Sequence, residues 1–160
     1  MGDGSGRLES INTSRGGVPK ESAFEALVTA QGLDGDQHSD PRSHGGLDRA
    51  VVLYSLDVIR ALQREGHAIA AGSTGENLTV AGVDWSSVAP GVEVRVGGVR
   101  LLITTYVSPC EHVGPYFVDQ DFTRISQKRH PGWSRVAARV VAGGIVRIGD
   151  PVVVSPPAAS

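Results

Sequence analysis

Short runs of β-branched and other apolar residues, separated by glycine and proline turns, recur along most of the chain. Runs of this length between turn-forming residues are typical of β-strands. The runs predict eight strands, at residues 8–12, 24–30, 50–54, 78–80, 92–96, 99–104, 136–142 and 151–154. We therefore expect a chain built mainly from short strands.

One pair of strands is predicted with a defined turn. Residues 92–96 alternate valine with charged residues, which is typical of a strand with one face in water. Gly97 and Gly98 then lead into a second apolar run at 99–103. Because two glycines suit the positive φ angles of a tight turn, we predict a β-hairpin here.

Two helices are also predicted. Ser55 can cap a helix over residues 56–65, whose apolar side chains at positions 58, 59 and 62 form one stripe, and Gly66 follows its end. A second helix is expected within residues 121–129, ending near Pro131. Many strands with two helices indicate a mainly β fold with a few helices, either a barrel or a compact α+β domain.

Composition narrows the function classes. The 160 residues suit one domain, and the net charge of -2 argues against a nucleic-acid or anionic-membrane partner. No apolar run approaches the roughly 20 residues of a spanning helix, and no signal pattern is present, so we expect a cytoplasmic protein. We expect a disordered N-terminus at residues 1–6, a domain at 7–154 and a tail at 155–160.

The chain has one cysteine, Cys110. One thiol excludes an intramolecular disulfide and a site built from several thiolates. Cys110 follows Pro109 at the end of a predicted strand, and His112 lies two residues further on. The local residues leave three readings open: a buried apolar cysteine, a reactive thiol, or one ligand of a mixed site.

A glycine-rich stretch concentrates ionisable side chains, namely Asp36, His38, His44, Asp48 and Arg49. Within it, Gly45 and Gly46 would let the backbone approach an anion closely, and the Arg49 guanidinium could bind a phosphate. On spacing alone, a solvated loop with turn glycines is the simpler explanation, because neither the glycines nor the histidines match a specific phosphate or zinc pattern. A binding loop and a plain surface loop both remain open.

A second polar group, Glu76 and Asn77, lies directly before a predicted strand. The Asn77 amide can donate to and accept from a planar heterocycle, and the Glu76 carboxylate can accept from ring N–H groups. The same two residues could equally complete a turn. Their position therefore marks a candidate site without deciding its use.

Taken in order, these groups resemble the MOSC family, the domain found at the C-terminus of molybdenum cofactor sulfurases. The stretches that carry the resemblance are 32–38 (GLDGDQH), 44–51 (HGGLDRAV), 75–79 (GENLT) and 109–110 (PC). The resemblance covers residues 8–154. It implies a MOSC-type β-barrel and a cysteine that carries sulfur or coordinates molybdenum in a pterin cofactor.

Carried over by position, the resemblance implies that Cys110 is both the catalytic residue and the metal ligand. It implies a molybdopterin pocket lined by Asp36, His38, His44, Gly45, Gly46, Arg49, Glu76 and Asn77. It also implies a sulfur-carrier role, or reduction of N-hydroxylated compounds with a separate electron donor. The expected partner proteins are then a cysteine desulfurase or a redox protein, since no such domain is present in the chain.

One departure from the family pattern concerns charge. Family members often carry basic residues around Pro-Cys, whereas this chain has Glu111 directly after Cys110.

Two other function classes therefore stay open. One is a zinc- or iron-dependent enzyme using His38, His44, Asp36 and Cys110 or His112, and the other is an interaction module with an inert thiol.

Overall fold

The computed structural model describes residues 5–13, 21–36 and 47–156. Its strands are β1 Ser5–Thr13, β2 Glu21–Ala23, β3 Glu25–Thr29, β4 Gly32–Leu33, β5 Val51–Ser55, β6 Leu78–Ala81, β7 Glu93–Val96, β8 Val99–Val107, β9 Arg135–Ala142, β10 Gly144–Arg147 and β11 Pro151–Ser155. The helix α1 spans Leu56–Arg64. Short 3-10 helices span Leu47–Arg49, Trp85–Ser87, Glu111–Tyr116, Val118–Gln120 and Phe122–Ile125.

Seven of these strands close into a barrel. They run in the order β11-β7-β8-β9-β5-β6-β1, and β1 pairs back onto β11 through Ser5 with Val153 and Arg7 with Pro151. β2 extends the sheet beyond β1, and β10, β3 and β4 form a second small sheet. Because closure pairs the strand edges, the barrel leaves few backbone groups open to another chain.

Alternating apolar side chains fill the barrel interior. Leu53 of β5 lies opposite Leu78 of β6, and Leu8 of β1 lies opposite Val80. All four side chains are buried. The paired strands thus direct apolar side chains into a shared core. The prediction of a mainly β barrel with few helices is confirmed.

The predicted hairpin is present between β7 and β8. Val96 pairs with Val99, so Gly97 and Gly98 form a two-residue turn. Gly97 adopts a positive φ of 57°, and a Cβ there would lie 2.8 Å from an Asp150 carboxylate oxygen. Both the backbone angle and the space therefore favour glycine at this position.

The predicted first helix is α1. Its Ser55 cap accepts a hydrogen bond from the Val58 N–H at 3.2 Å, and its buried side chains are Ile59 and Leu62. Gly66 ends it with a φ of 101°, which lets the chain turn away from the helix. α1 connects β5 to β6, the one parallel pair among the described strands.

The prediction of a second helix within residues 121–129 is wrong, because the structure has only a short 3-10 helix there. Within residues 121–129 the structure has only the 3-10 helix Phe122–Ile125, which begins where the Asp121 carboxylate accepts from the Thr123 N–H. Ser126 then leaves the helical conformation. The short β2, β4 and β10 were not predicted either.

Tyr54 ties the barrel to the loops that cover its outer face. Its side chain is fully buried, and its hydroxyl donates to the Trp133 carbonyl oxygen at 2.6 Å. Burial raises the pKa of Tyr54 well above its ordinary value of 10.0, with Arg135 opposing that shift. The phenol is therefore a permanent hydrogen-bond donor at neutral pH.

We expect Tyr54→Phe to lower the free energy of unfolding by about 1–2 kcal/mol, because the Trp133 carbonyl would lose its partner. Urea denaturation would measure this. Tyr116→Phe is a suitable control, since the half-buried Tyr116 hydroxyl makes no hydrogen bond within the described residues. Equal stability of the two variants would contradict the assigned role.

Among the described residues, none of the helices combines the length and the apolar character needed to cross a lipid bilayer.

Candidate functional site

Cys110 lies three residues beyond the end of β8, at the start of the 3-10 helix Glu111–Tyr116. Its side chain is exposed, and its Sγ lies 3.3 Å from Nδ1 of His112. Exposure rules out the reading of Cys110 as a buried apolar residue. The nearby imidazole nitrogen provides a group that can exchange a proton with the thiol.

Backbone pairing places Cys110 next to the start of β9. Val107 of β8 pairs with Arg135 of β9, and the Ser134 hydroxyl donates to the Val107 carbonyl oxygen at 3.3 Å. These contacts hold the end of β8, from which Pro109 and Cys110 continue. The thiol is therefore carried by a segment that leaves the barrel at a defined point.

Arg135 is a buried cation behind this segment, with 6% of its surface exposed. One terminal N–H donates to the Thr74 carbonyl oxygen at 2.5 Å, whereas Nε has no hydrogen-bond partner in the described structure. An unpaired buried donor costs about 1–3 kcal/mol. Such a group in a native protein requires an explanation, and a bound anion is one.

The electrostatic surroundings of Arg135 link the predicted site residues. Burial lowers the pKa of Arg135; Tyr54, Glu76 and Cys110 oppose that shift, and the positive charge of Arg49 adds to it. Cys110 and Arg49 thus both lie within electrostatic reach of one guanidinium. The 3-10 helix that ends at Arg49 packs against β8 and β9, the strands that lead to Cys110 and begin at Arg135.

Glu76 is fully buried and bound within its own loop. One carboxylate oxygen accepts from the Gly72 N–H at 2.8 Å and from the Thr79 hydroxyl at 3.0 Å, and the other accepts from the Thr74 hydroxyl at 2.9 Å. Burial raises its pKa. Glu76 therefore organises the loop that also supplies the Thr74 carbonyl to Arg135; a direct contact with a cofactor stays a prediction.

Asn77 joins three parts of the chain. Its side-chain oxygen accepts from the Val52 N–H at 2.9 Å, and its amide nitrogen donates to the Asp36 carboxylate at 2.9 Å and to the Asn12 carbonyl at 3.4 Å. The side chain is buried. Asn77 consequently fixes Asp36 against the barrel. The sequence analysis assigned the two residues to separate polar groups, and the structure brings their side chains into contact. Their role in ligand binding stays a prediction.

Arg49 ends the 3-10 helix Leu47–Arg49, and its side chain is half-buried. Within the part of the chain that the structure describes, it has no hydrogen-bond or ion-pair partner. The neighbouring Asp48 instead pairs with Arg139 at 2.9 Å, and its backbone carbonyl accepts from the Thr104 hydroxyl. Arg49 is thus held near the barrel, and none of the described residues binds its guanidinium.

The remaining predicted loop residues, His38, His44, Gly45 and Gly46, lie outside the described residues. Within residues 5–13, 21–36 and 47–156, no group of three or more His, Cys, Asp or Glu side chains is arranged to hold a metal ion. The alternative of a zinc or iron site depends on the two histidines and stays a prediction.

Sequence reasoning missed Arg135 as a site residue. Its signal was a charge at the head of a mostly apolar strand, Arg135–Ala142, which also contains Arg139. A cleft of about 190 Å³ was also not predicted; its lining includes Trp85, Tyr106, Gly132 and Ser134. None of the predicted site residues lines this cleft.

Comparison with known proteins supports the family assignment. The MOSC domain description matches residues 40–153. Protein YiiM of Escherichia coli (strain K12) is 30% identical over 114 residues, which cover 68% of this chain and 51% of YiiM. The aligned part of the chain therefore spans about half the length of that relative.

Solved structures agree on the fold. The YUAD protein from Bacillus subtilis superposes with a TM-score of 0.75 at 20% identity, covering 96% of this chain and 97% of its own. YiiM from Escherichia coli gives a TM-score of 0.69 at 23% identity, covering 98% of this chain and 72% of its own. At these identities the likeness shows the fold alone.

The family description covers well over half of the chain, and the fold superposes on those of the related structures. The family is associated with molybdenum-cofactor binding and sulfur carriage. The order of the sequence motifs and the closed barrel both support this family assignment. The chain belongs to the MOSC domain family.

Proposed function

We propose that this domain binds the molybdenum cofactor or carries sulfur, and that the Cys110 sulfur is the atom that acts. The observation that supports this most directly is the exposed thiol beside the His112 imidazole and within electrostatic reach of Arg135. A thiolate is a soft ligand that suits both molybdenum and sulfane sulfur.

The residues present fit an anionic cofactor. Among the described residues, the buried Nε–H of Arg135 has no partner, and the Arg49 guanidinium makes no hydrogen bond or ion pair. A guanidinium binds phosphate through paired N–H donors. In this proposal Cys110 ligates the metal, and Arg49 binds the phosphate of the pterin. When bound, the cofactor would supply oxygen-atom and electron exchange, with N-hydroxylated compounds as one substrate class and a separate redox protein as electron donor.

The sulfur-carrier alternative uses the same thiol. The Cys110 thiolate attacks the terminal sulfur of a donor persulfide, the donor S–S bond breaks, and the donor leaves as a thiolate. Cys110 then carries a persulfide, and no net oxidation occurs because one persulfide replaces another. A separate cysteine desulfurase would provide the donor. His112 Nδ1, at 3.3 Å from Sγ, can accept the thiol proton before the attack.

The test is to produce the protein in a host that makes molybdenum cofactor. Molybdenum is measured by elemental mass spectrometry, and pterin is measured by its fluorescence after oxidation. The mass of the intact protein is compared before and after treatment with a thiol reductant. Bound molybdenum with pterin supports the cofactor role, and a reductant-sensitive gain of one sulfur atom supports the carrier role. Protein with neither would contradict the proposal.

A further inference from the structure

The cleft of about 190 Å³ lies where three separate parts of the chain meet. Tyr106 of β8 lines it from the barrel, and Trp85 lines it from the first turn of a 3-10 helix. Gln127 and Gly132 line it from the loop before β9. Because these residues are distant in sequence, the cleft is created by the tertiary fold.

Hydrogen bonds hold the walls of the cleft in place. The Trp85 indole N–H donates to the Ser134 carbonyl oxygen at 2.8 Å, and the indole packs edge-on against the buried Tyr54 ring, with centroids 6.2 Å apart. The Gln127 side-chain oxygen accepts from the Gly132 N–H at 3.1 Å. A ligand that enters the cleft therefore meets ordered walls, which lowers the entropic cost of binding.

The lining combines aromatic surface with two unused hydrogen-bond donors. None of the eight described residues that line the cleft carries a charge. Within the described structure, the Tyr106 hydroxyl and the Gln127 amide nitrogen make no hydrogen bond, and solvent reaches both atoms. Since an ion would lose its hydration here without gaining a counter-charge from the lining, these walls favour a neutral molecule that has an acceptor oxygen.

The volume of the cleft limits the size of its ligand. An apolar cavity of about 150 Å³ holds one benzene ring, whereas pockets for drug-sized ligands are about 300–1,000 Å³. A cleft of about 190 Å³ thus has room for a single ring with one small substituent. A pterin cofactor with its phosphate is too large for it.

We propose that this cleft is a binding site for small, neutral, single-ring aromatic carbonyl compounds, of which benzamide is the simplest amide. The ring packs against the Trp85 indole, and the carbonyl oxygen accepts from the Gln127 amide, with the Tyr106 hydroxyl as a second donor. This site is additional to the proposed function, because none of the residues that line it belongs to the group around Cys110.

Three probes of nearly equal size test the proposal on the unmodified protein. Benzamide has the ring and the neutral carbonyl, benzoate adds a negative charge, and cyclohexanecarboxamide replaces the flat ring. Two-dimensional NMR follows the indole N–H of Trp85 and the side-chain amide of Gln127 during each titration. We expect benzamide to shift both signals to saturation with a Kd of about 0.1–1 mM.

The other two probes should bind at least about five-fold more weakly, because benzoate loses hydration without compensation and cyclohexanecarboxamide lacks an aromatic face. Shifts that do not saturate would show that the cleft holds only water, which overturns the proposal. Benzoate binding as tightly as benzamide would also overturn it, since the site would then not select neutral molecules.

Variants assign the binding to the two donors. Gln127→Glu keeps the oxygen that accepts from Gly132 and removes the amide donor, so benzamide affinity should fall at least about ten-fold. Tyr106→Phe should lower it by about two- to five-fold.

Tyr116→Phe is the matched control, because Tyr116 is also half-buried and does not line the cleft. Its affinity for benzamide should equal that of the unmodified protein. If Gln127→Glu and Tyr106→Phe, both folded by their NMR spectra, bind benzamide as tightly as Tyr116→Phe, the ligand is held elsewhere and the proposal fails.

Discussion

In the Cys110→Ser variant, the molybdenum and sulfane-sulfur content should fall to the background of a protein without a site. Serine has a side chain of similar size, but its hydroxyl is a hard ligand and only weakly acidic. It therefore cannot replace the soft thiolate as a molybdenum ligand, and it cannot form a persulfide. Because Cys110 is exposed and its side chain lies outside the core, folding should be unaffected. Metal analysis and intact mass measure the loss, and thermal denaturation checks the fold.

Ser108→Ala provides the matched control for this experiment. Ser108 is exposed, lies two residues before Cys110 on the same segment, and makes no hydrogen bond through its side chain within the described residues. Its variant should retain the content of the unmodified protein. A Cys110→Ser protein that still holds stoichiometric molybdenum would show that the metal is bound elsewhere.

Glu76→Ala should be the most destabilising of the substitutions considered. The change leaves the Gly72 N–H and the hydroxyls of Thr74 and Thr79 without their acceptor in a fully buried site. Each orphaned buried donor costs about 1–3 kcal/mol, so we expect a loss of about 3–5 kcal/mol. Glu93→Ala, which removes an exposed partner of Arg100, should cost at most about 1 kcal/mol.

Glu76 also predicts a pH dependence. Burial raises the pKa of this carboxyl in the folded state above its ordinary 4.5. Between the unfolded and the folded pKa, the folded protein keeps a proton that the unfolded chain has lost. The contribution of Glu76 to the free energy of unfolding therefore falls as pH rises through that window, and is constant above it.

Glu76→Gln is the matched variant for this effect, because it keeps the size and removes the titration. The stability of the unmodified protein relative to Glu76→Gln should decline as pH rises above about 4.5 and then level off. Denaturation curves at a series of pH values would show it. A relative stability that increases with pH would mean that the folded state prefers the carboxylate.

The parts of the fold that the sequence predicted are those with local causes. The Gly97-Gly98 turn follows from backbone angles that glycine adopts freely, and α1 follows from the Ser55 cap and one apolar stripe. The expected helix within 121–129 was wrong because apolar residues there pack as an irregular layer of 3-10 turns. That layer depends on contacts with distant elements.

The candidate site, like the fold, has some features that the sequence predicted and others that depend on distant contacts. Cys110 was identified because it is the only cysteine in the sequence, and Asn77 and Asp36 because each lies in a polar group. The 2.9 Å contact between Asn77 and Asp36 could not be predicted from the order of residues. Arg135 carried a weak signal, since a charge at the head of an apolar strand usually faces water. In the structure that charge is buried.

The sequence by itself determined the mainly β class, the hairpin, the capped helix and the candidate thiol, because each depends on residues close together in the chain. The tertiary structure alone decided that Cys110 is exposed, that Glu76 is enclosed, and that Arg135 is buried with an N–H that has no partner among the described residues. These features follow from barrel closure and from the pairing of β8 with β9. Burial and charge proximity are sums over residues far apart in sequence, so no local pattern records them.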